Sequence, residues 1–181
     1  YNPAVHGNKG HIDVRQGVAN LEAATLFRDA LSNQGYAFNP DYNDPATPTG
    51  SFLYWQLTQQ PDLKRESSAT AYLEKILKQK SCNIYKSRNK KLTLYTKALA
   101  SRIVFGKGKK PRAKGVVAII DGVEKVITAN KKVIVCCGFQ SPLILQRSGI
   151  GDATLLEELC VPVVYDNANV GKNMINHPIF T

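Results

Sequence analysis

Few side chains in this chain of 181 residues have the types and spacing that chemistry needs. Three histidines, His6, His11 and His177, are candidate bases or metal ligands. His6 and His11 share a Gly-rich stretch, but with no third ligand at useful spacing they make a weak metal signal. Cys82, Cys136, Cys137 and Cys160 form no CxxC pair, so buried reduced thiols are expected. Gly149-x-Gly151 is the nearest string to a phosphate loop, yet it follows a helix and lacks a third glycine, so it reads as helix punctuation. Thus no catalytic residue and no metal site is assigned from these residues.

Stepping outward to the elements, Leu21–Ser32 has apolar positions at helical spacing and ends near Gly35. Residues 36–51 hold three prolines and read as a long loop. Phe52–Thr58 suits a strand, with Trp55 expected to be buried. Ser67–Gln79 predicts a second helix capped by Ser67 or Ser68, with Ala71, Tyr72, Ile76 and Leu77 on its apolar face. After Lys91 the period becomes two. Val116–Ile120 and Val123–Thr128 flank Asp121-Gly122, a two-residue hairpin signal, so the middle of the chain is expected to be a three-stranded antiparallel meander. Val133–Cys137 is a short apolar run that suits a parallel strand buried on both faces and ending at Gly138. Ser141-Pro142 should start a short helix stopped by Gly149, and Asp152 should cap another through Leu159. Val161–Tyr165 reads as a strand.

The formal charge is +10, much of it in Lys86–Lys91 and Lys107–Lys114. Basic clusters can track phosphates. Base-stacking aromatics are not interleaved with these charges, so nucleic acid is not the expected partner. Apolar runs such as Val133–Cys137 are far too short to span a bilayer, which takes about 20 residues.

Gln140–Gly151, QSPLILQRSGIG, closely resembles the second signature of the glucose–methanol–choline (GMC) oxidoreductases. His6-Gly7 with Gly10, Asp41-Tyr42-Asn43, Gln56-x-Thr58, Arg65-x-Ser67-Ser68-Ala69 through Leu73, and Val170-Gly171-x-Asn173 with His177 are similar to further family motifs, in the family's order. Asn176 stands where the family has Asp, and Met174 where it has Leu. The resemblance implies an α+β piece of a two-domain flavoprotein, with an FAD-binding, Rossmann-like domain and a substrate domain. Residues 1–66 and 168–181 would be substrate-domain parts, and residues 67–167 an FAD-domain part. It implies FAD as cofactor, held through the backbone of Ala100 and through Cys137 and Gly138. It also implies an alcohol substrate for the parent enzyme, with hydride passing to the flavin. The base of the family and its G-x-G-x-x-G turn have no counterpart here, so the chain alone is expected to be inactive. Its partners would be the remaining segments of the same protein, and the chain by itself would either self-associate or rearrange at the edge of Val133–Cys137. The alternatives are a non-redox family member of lyase or cyclase type, or a basic binding module.

Overall fold

The computed structural model describes residues 2–17, 22–39, 41–52, 54–81, 83–108 and 110–177. By their contacts these divide into two compact units, Tyr1–Leu94 and Tyr95–Thr181.

In the first unit, strand β1 (Val14–Gln16) pairs antiparallel with β2 (Gln56–Thr58), Arg15 lying opposite Leu57. Between them lies helix α1 (Glu22–Asn33), which closes at Gly35 with φ of 86°. That left-handed turn costs glycine nothing. None of the described α1 residues is buried. Residues 36–39 and 41–51 form no helix or strand, and they are joined to the next segment by a Phe38–Phe52 bridge and by packing of Phe38 on Phe52 and Tyr54. Of the expected 52–58 strand, Gln56–Thr58 pairs with β1 and Phe52 makes an isolated bridge, and Trp55 is 75% exposed rather than buried.

The helix expected over residues 67–79 is cut short. Ser67 Oγ does accept from Thr70 N–H, as a cap should, but the turn widens to a π-helical Ala69–Leu73, where Glu74 N–H reaches Ala69 O. Residues Leu77–Ser81 then form β3, antiparallel to β4 (Ile84–Ser87), and β5 (Thr93–Tyr95) completes a sheet of order β3-β4-β5. The helical pattern failed because only Ala71 of its apolar face finds cover, whereas strand pairing satisfies the backbone from Leu77 onward.

The second unit contains the expected meander. Strands β6 (Ala98–Phe105), β7 (Ala113–Ile120) and β8 (Val123–Thr128) lie in that order, all antiparallel. Asp121 and Gly122 both have positive φ, 53° and 76°, as the tight turn matching strand twist requires. The middle strand supplies the core, with Val117, Ala118 and Ile120 buried, while every residue of β8 is exposed.

Helix α2 (Ser141–Arg147) carries Pro142 in its first turn and packs on β6. Ser141 is inside the helix and is not its cap: its Oγ accepts from Cys137 N–H. Near the helix end, Ser148 Oγ donates to Ile144 O and accepts from Ile103 N–H of β6 at 2.7 Å, a buried link between helix and sheet. Gly149 then turns the chain. Strand β9 (Ile150–Gly151) leads into helix α3 (Ala153–Glu158), capped by the Asp152 carboxylate on Thr154 N–H as expected. The strand expected at 161–165 shrinks to β10 (Tyr165–Asp166), parallel to β9.

Val133–Cys137 departs most from expectation. Among the described residues it pairs with no strand, and Ile134 is 79% exposed. Cys136, Cys137 and Cys160 are exposed free thiols, not buried ones, and Cys82 lies outside the described residues. A parallel strand is buried only when partner strands pair its edges and helices cover its faces, and among the described residues no strand pairs with this run.

Candidate functional site

In the first unit, three sequence motifs converge on one carboxylate. Asp41, only 7% exposed, receives His6 Nε2 at 2.8 Å and Gln56 Nε2 at 3.2 Å. The backbone N–H of Asn2 approaches its Oδ2 at 3.4 Å. Asn43 Nδ2 donates to Gln56 Oε1, and Asn2 Nδ2 donates to Asp44 Oδ2. The loop itself is tied down by Asn39 Oδ1, which accepts from Asp41 N–H, and by Thr47 Oγ1, which donates to Asp41 O. Loop 36–51 therefore holds its acid by local hydrogen bonds, and β2 delivers Gln56 from across the fold.

Burial pushes the Asp41 carboxyl up, but hydrogen bonds from Gln56, the Asn2 backbone and His6, with the His6 charge, outweigh it and hold the group below its ordinary value of 3.8. For Asp44, hydrogen bonds from the Ala46 backbone and from Asn2 lower the pKa likewise. A depressed carboxyl stabilises the fold fully above its unfolded pKa, and this contribution is lost as pH falls through the lower, folded value. The cluster is therefore expected to stay intact down to about pH 4 and to loosen below it. The side-chain amide signal of Gln56 and the backbone amide signal of Asn2, both donors to Asp41, followed by NMR on acidification, check this. They should shift together in the wild type and lose that pH response in Asp41→Asn; an unchanged response in the variant would show that Asp41 is not the titrating group.

Beside the cluster opens a cavity of about 470 Å³, lined by His6, Asp13, Arg15, Gln16, Asp41, Asn43 and Gln56, together with glycines of the 7–10 loop. Its walls offer both donors and acceptors, which suits a hydroxyl-bearing or zwitterionic molecule. Among the described residues no group of three His, Cys, Asp or Glu side chains is placed to hold a metal. His11 stacks edge-on against Tyr72, with ring centroids 5.4 Å apart, and does not join His6. His177 is exposed, and its backbone N–H is taken by the Asn176 side chain.

The three residues singled out for a cofactor lie in the second unit. Ala100 sits half-buried in β6, opposite Ala118 of β7. As β6 is the outer strand of its sheet, its far edge carries backbone groups outside the ladder, and Ile103 N–H on that edge already takes a side-chain partner, Ser148. Cys137 and Gly138 form the exposed turn before α2, where Gly138 has φ of 56° and no atom within 4 Å of the position a Cβ would take. Among the described residues no hydrogen bond joins Ala100 to either of them; they are connected through α2, which packs on β6 and receives Cys137 N–H at Ser141.

The Asp41 cluster was not foreseen as a site. His6, Asp41, Asn43 and Gln56 were each visible in a motif, but only the β1–β2 pairing and the loop bring them together. A buried Asp flanked by Asn residues in a proline-rich loop was the available signal.

The family model for GMC oxidoreductases matches residues 1–179. The chain is 41% identical over 176 residues to an oxygen-dependent choline dehydrogenase of Pseudomonas fluorescens, covering 95% of this chain and 28% of that protein. It is 34% identical to oxidoreductase cicC of Emericella nidulans, covering 99% of this chain and 28% of the relative. Among solved structures, an FAD-dependent oxidoreductase of Chaetomium thermophilum superposes with a TM-score of 0.70 at 20% identity, over 92% of this chain and 27% of that one. The chain thus spans less than a third of the length of the relatives it matches. With the family model covering nearly every residue, the chain belongs to the GMC oxidoreductase family.

Proposed function

We propose that the chain is an interior part of an FAD-dependent alcohol oxidoreductase. The carrying observation is the 41% identity, over almost the whole chain, to an oxygen-dependent choline dehydrogenase. In this reading residues 1–66 and 168–181 belong to the substrate domain and residues 67–167 to the FAD domain. The outer edge of β6 at Ala100 would hold the adenine through the backbone, and the open turn at Cys137–Gly138 would lie beside the nucleotide. Both positions fit that role: the first offers backbone donors and acceptors outside the ladder, the second has space where a side chain would intrude.

Bound FAD supplies an acceptor for the hydride of the alcohol carbon. The residues of this chain hold and support. Ser148 fixes α2 on β6, so that the turn before α2 and the edge of β6 keep one geometry. The Asp41 cluster braces loop 36–51 against β2. No His here is assigned as the base, and the remaining segments of the same protein would supply it and would cover Val133–Cys137.

Choline is the first alcohol to assay. The test is to purify the intact protein from its source, record its mass and visible spectrum, and add choline. A protein more than three times the mass of this chain, as its share of the relatives implies, showing flavin absorbance that bleaches with alcohol, is the expected result. A colourless protein that leaves choline untouched would sink the oxidoreductase reading.

A further inference from the structure

Sheet β3–β5 carries an unusual charge arrangement. Residues 75–91 contain seven cations, Lys75, Lys78, Lys80, Lys86, Arg88, Lys90 and Lys91, and no carboxylate. All seven are exposed, and among the described residues none of them is ion-paired. Lys78 lies directly opposite Lys86 in the β3–β4 register. Like charges placed so are destabilising. Lysines on an edge strand deter unwanted strand addition, which accounts for Lys78 and Lys80 in β3. It does not account for Lys86, which is in the central strand. An anion from outside would relieve this repulsion.

Next to this sheet a cleft of about 430 Å³ is lined by Lys75, Ile76, Arg88, Asn89, Lys91 and Leu92. Its polar rim is preorganised: Ser87 Oγ donates to Asn89 Oδ1 and accepts Leu92 N–H, fixing the turn that carries Arg88 and Lys91. Ile76 and Leu92 are 46% and 37% exposed, so the cations surround apolar surface. Among the described residues no aromatic side chain lines the cleft, which disfavours a single-stranded nucleic acid, whose bases would need stacking partners. Cations around exposed aliphatics match a phospholipid interface, with phosphates at the rim and acyl carbon beneath.

We propose that sheet β3–β5 and its cleft form a peripheral docking surface for anionic phospholipid headgroups. No helix among the described residues is long and apolar enough to cross a membrane, and docking of this kind needs none.

Co-sedimentation of the intact protein with vesicles tests this. Binding should be at least ~10-fold tighter to vesicles with about one third phosphatidylglycerol than to pure phosphatidylcholine, and should collapse near 0.5 M salt, at roughly three times the ionic strength of physiological buffer. The triple variant Lys78→Gln, Lys86→Gln, Arg88→Gln should lose roughly 100-fold in affinity, at a few-fold per cation. Its circular dichroism should be unchanged, because two opposed charges are removed. Lys78→Arg with Lys86→Arg should bind like the wild type, so loss there would count against the idea. A matched triple variant in the other basic segment, Lys107→Gln, Lys110→Gln, Lys114→Gln, should keep most of the binding. Equal affinity for neutral vesicles, full binding by the first triple variant, loss confined to the second, or tighter binding of single-stranded RNA than of anionic vesicles would each overturn the proposal.

Discussion

Leu156→Ala is expected to destabilise the second unit by about 3–4 kcal/mol, the middle of the range for a leucine truncated in a core. Leu156 is fully buried, 0% exposed, and is one of the two largest side chains so enclosed among the described residues. Its methyl carbons pack at 3.6 and 3.7 Å from the position a Cβ on Gly151 would take, and its backbone is used twice: its N–H donates to Asp152 O and its O accepts from Val161 N–H. Truncation leaves the backbone in place and opens a void that the short α3, pinned by its Asp152 cap, cannot close. The second unit has few other buried apolar residues to share the loss: Ile103, Val117, Ala118, Ile120 and Ile144. Leu155→Ala, one position away but partly exposed, should cost under about 1 kcal/mol. Urea denaturation of the two variants side by side checks this. Equal, small losses would mean that α3 is not packed as described.

A Gly149→Ala exchange should cost about 3 kcal/mol, although it adds a single methyl group. Gly149 has φ of 82°, a left-handed conformation that side chains resist. Its added Cβ would also overlap Pro162 O and stand 2.8 Å from Val164 Cγ2. The chain cannot back away, because Gly149 O accepts from both Val164 N–H and Tyr165 N–H. Gly149 closes α2 and holds the 162–165 segment against it. A fall in melting temperature of roughly 10 °C or more is the readout for a unit of this size. As a control, Gly122→Ala meets nothing within 4 Å, so only its φ of 76° opposes the change, and a smaller loss is expected there. If Gly149→Ala melted with the wild type, the close approach of these segments would be wrong.

The family was legible in the residues alone. Short strings such as SP-x-x-x-x-x-SGIG persist because local backbone needs fix them: Pro142 suits a first helical turn, and Gly149 a left-handed turn under crowding. The meander was legible for the same kind of reason, since Asp121-Gly122 writes its own turn and the strands alternate around it. The Asp152 cap follows from one side chain and the N–H two residues on. Each of these is decided within a few residues.

What the tertiary structure decided depends on neighbours distant in sequence. Val133–Cys137 has the composition of a buried strand, yet a strand becomes buried only when other strands and helices lie beside it, and here it stands exposed. Its burial is not what carries family membership. Residues 77–81 could continue a helix by pattern, but pairing with β4 claimed them. The meeting of His6, Asp41, Asn43 and Gln56 depends on β1 pairing with β2 across 40 residues, and no local spacing encodes that. Sequence fixes turns and caps because their energies are local. Burial and polar convergence are set by which surfaces happen to meet, and that is a property of the assembled fold.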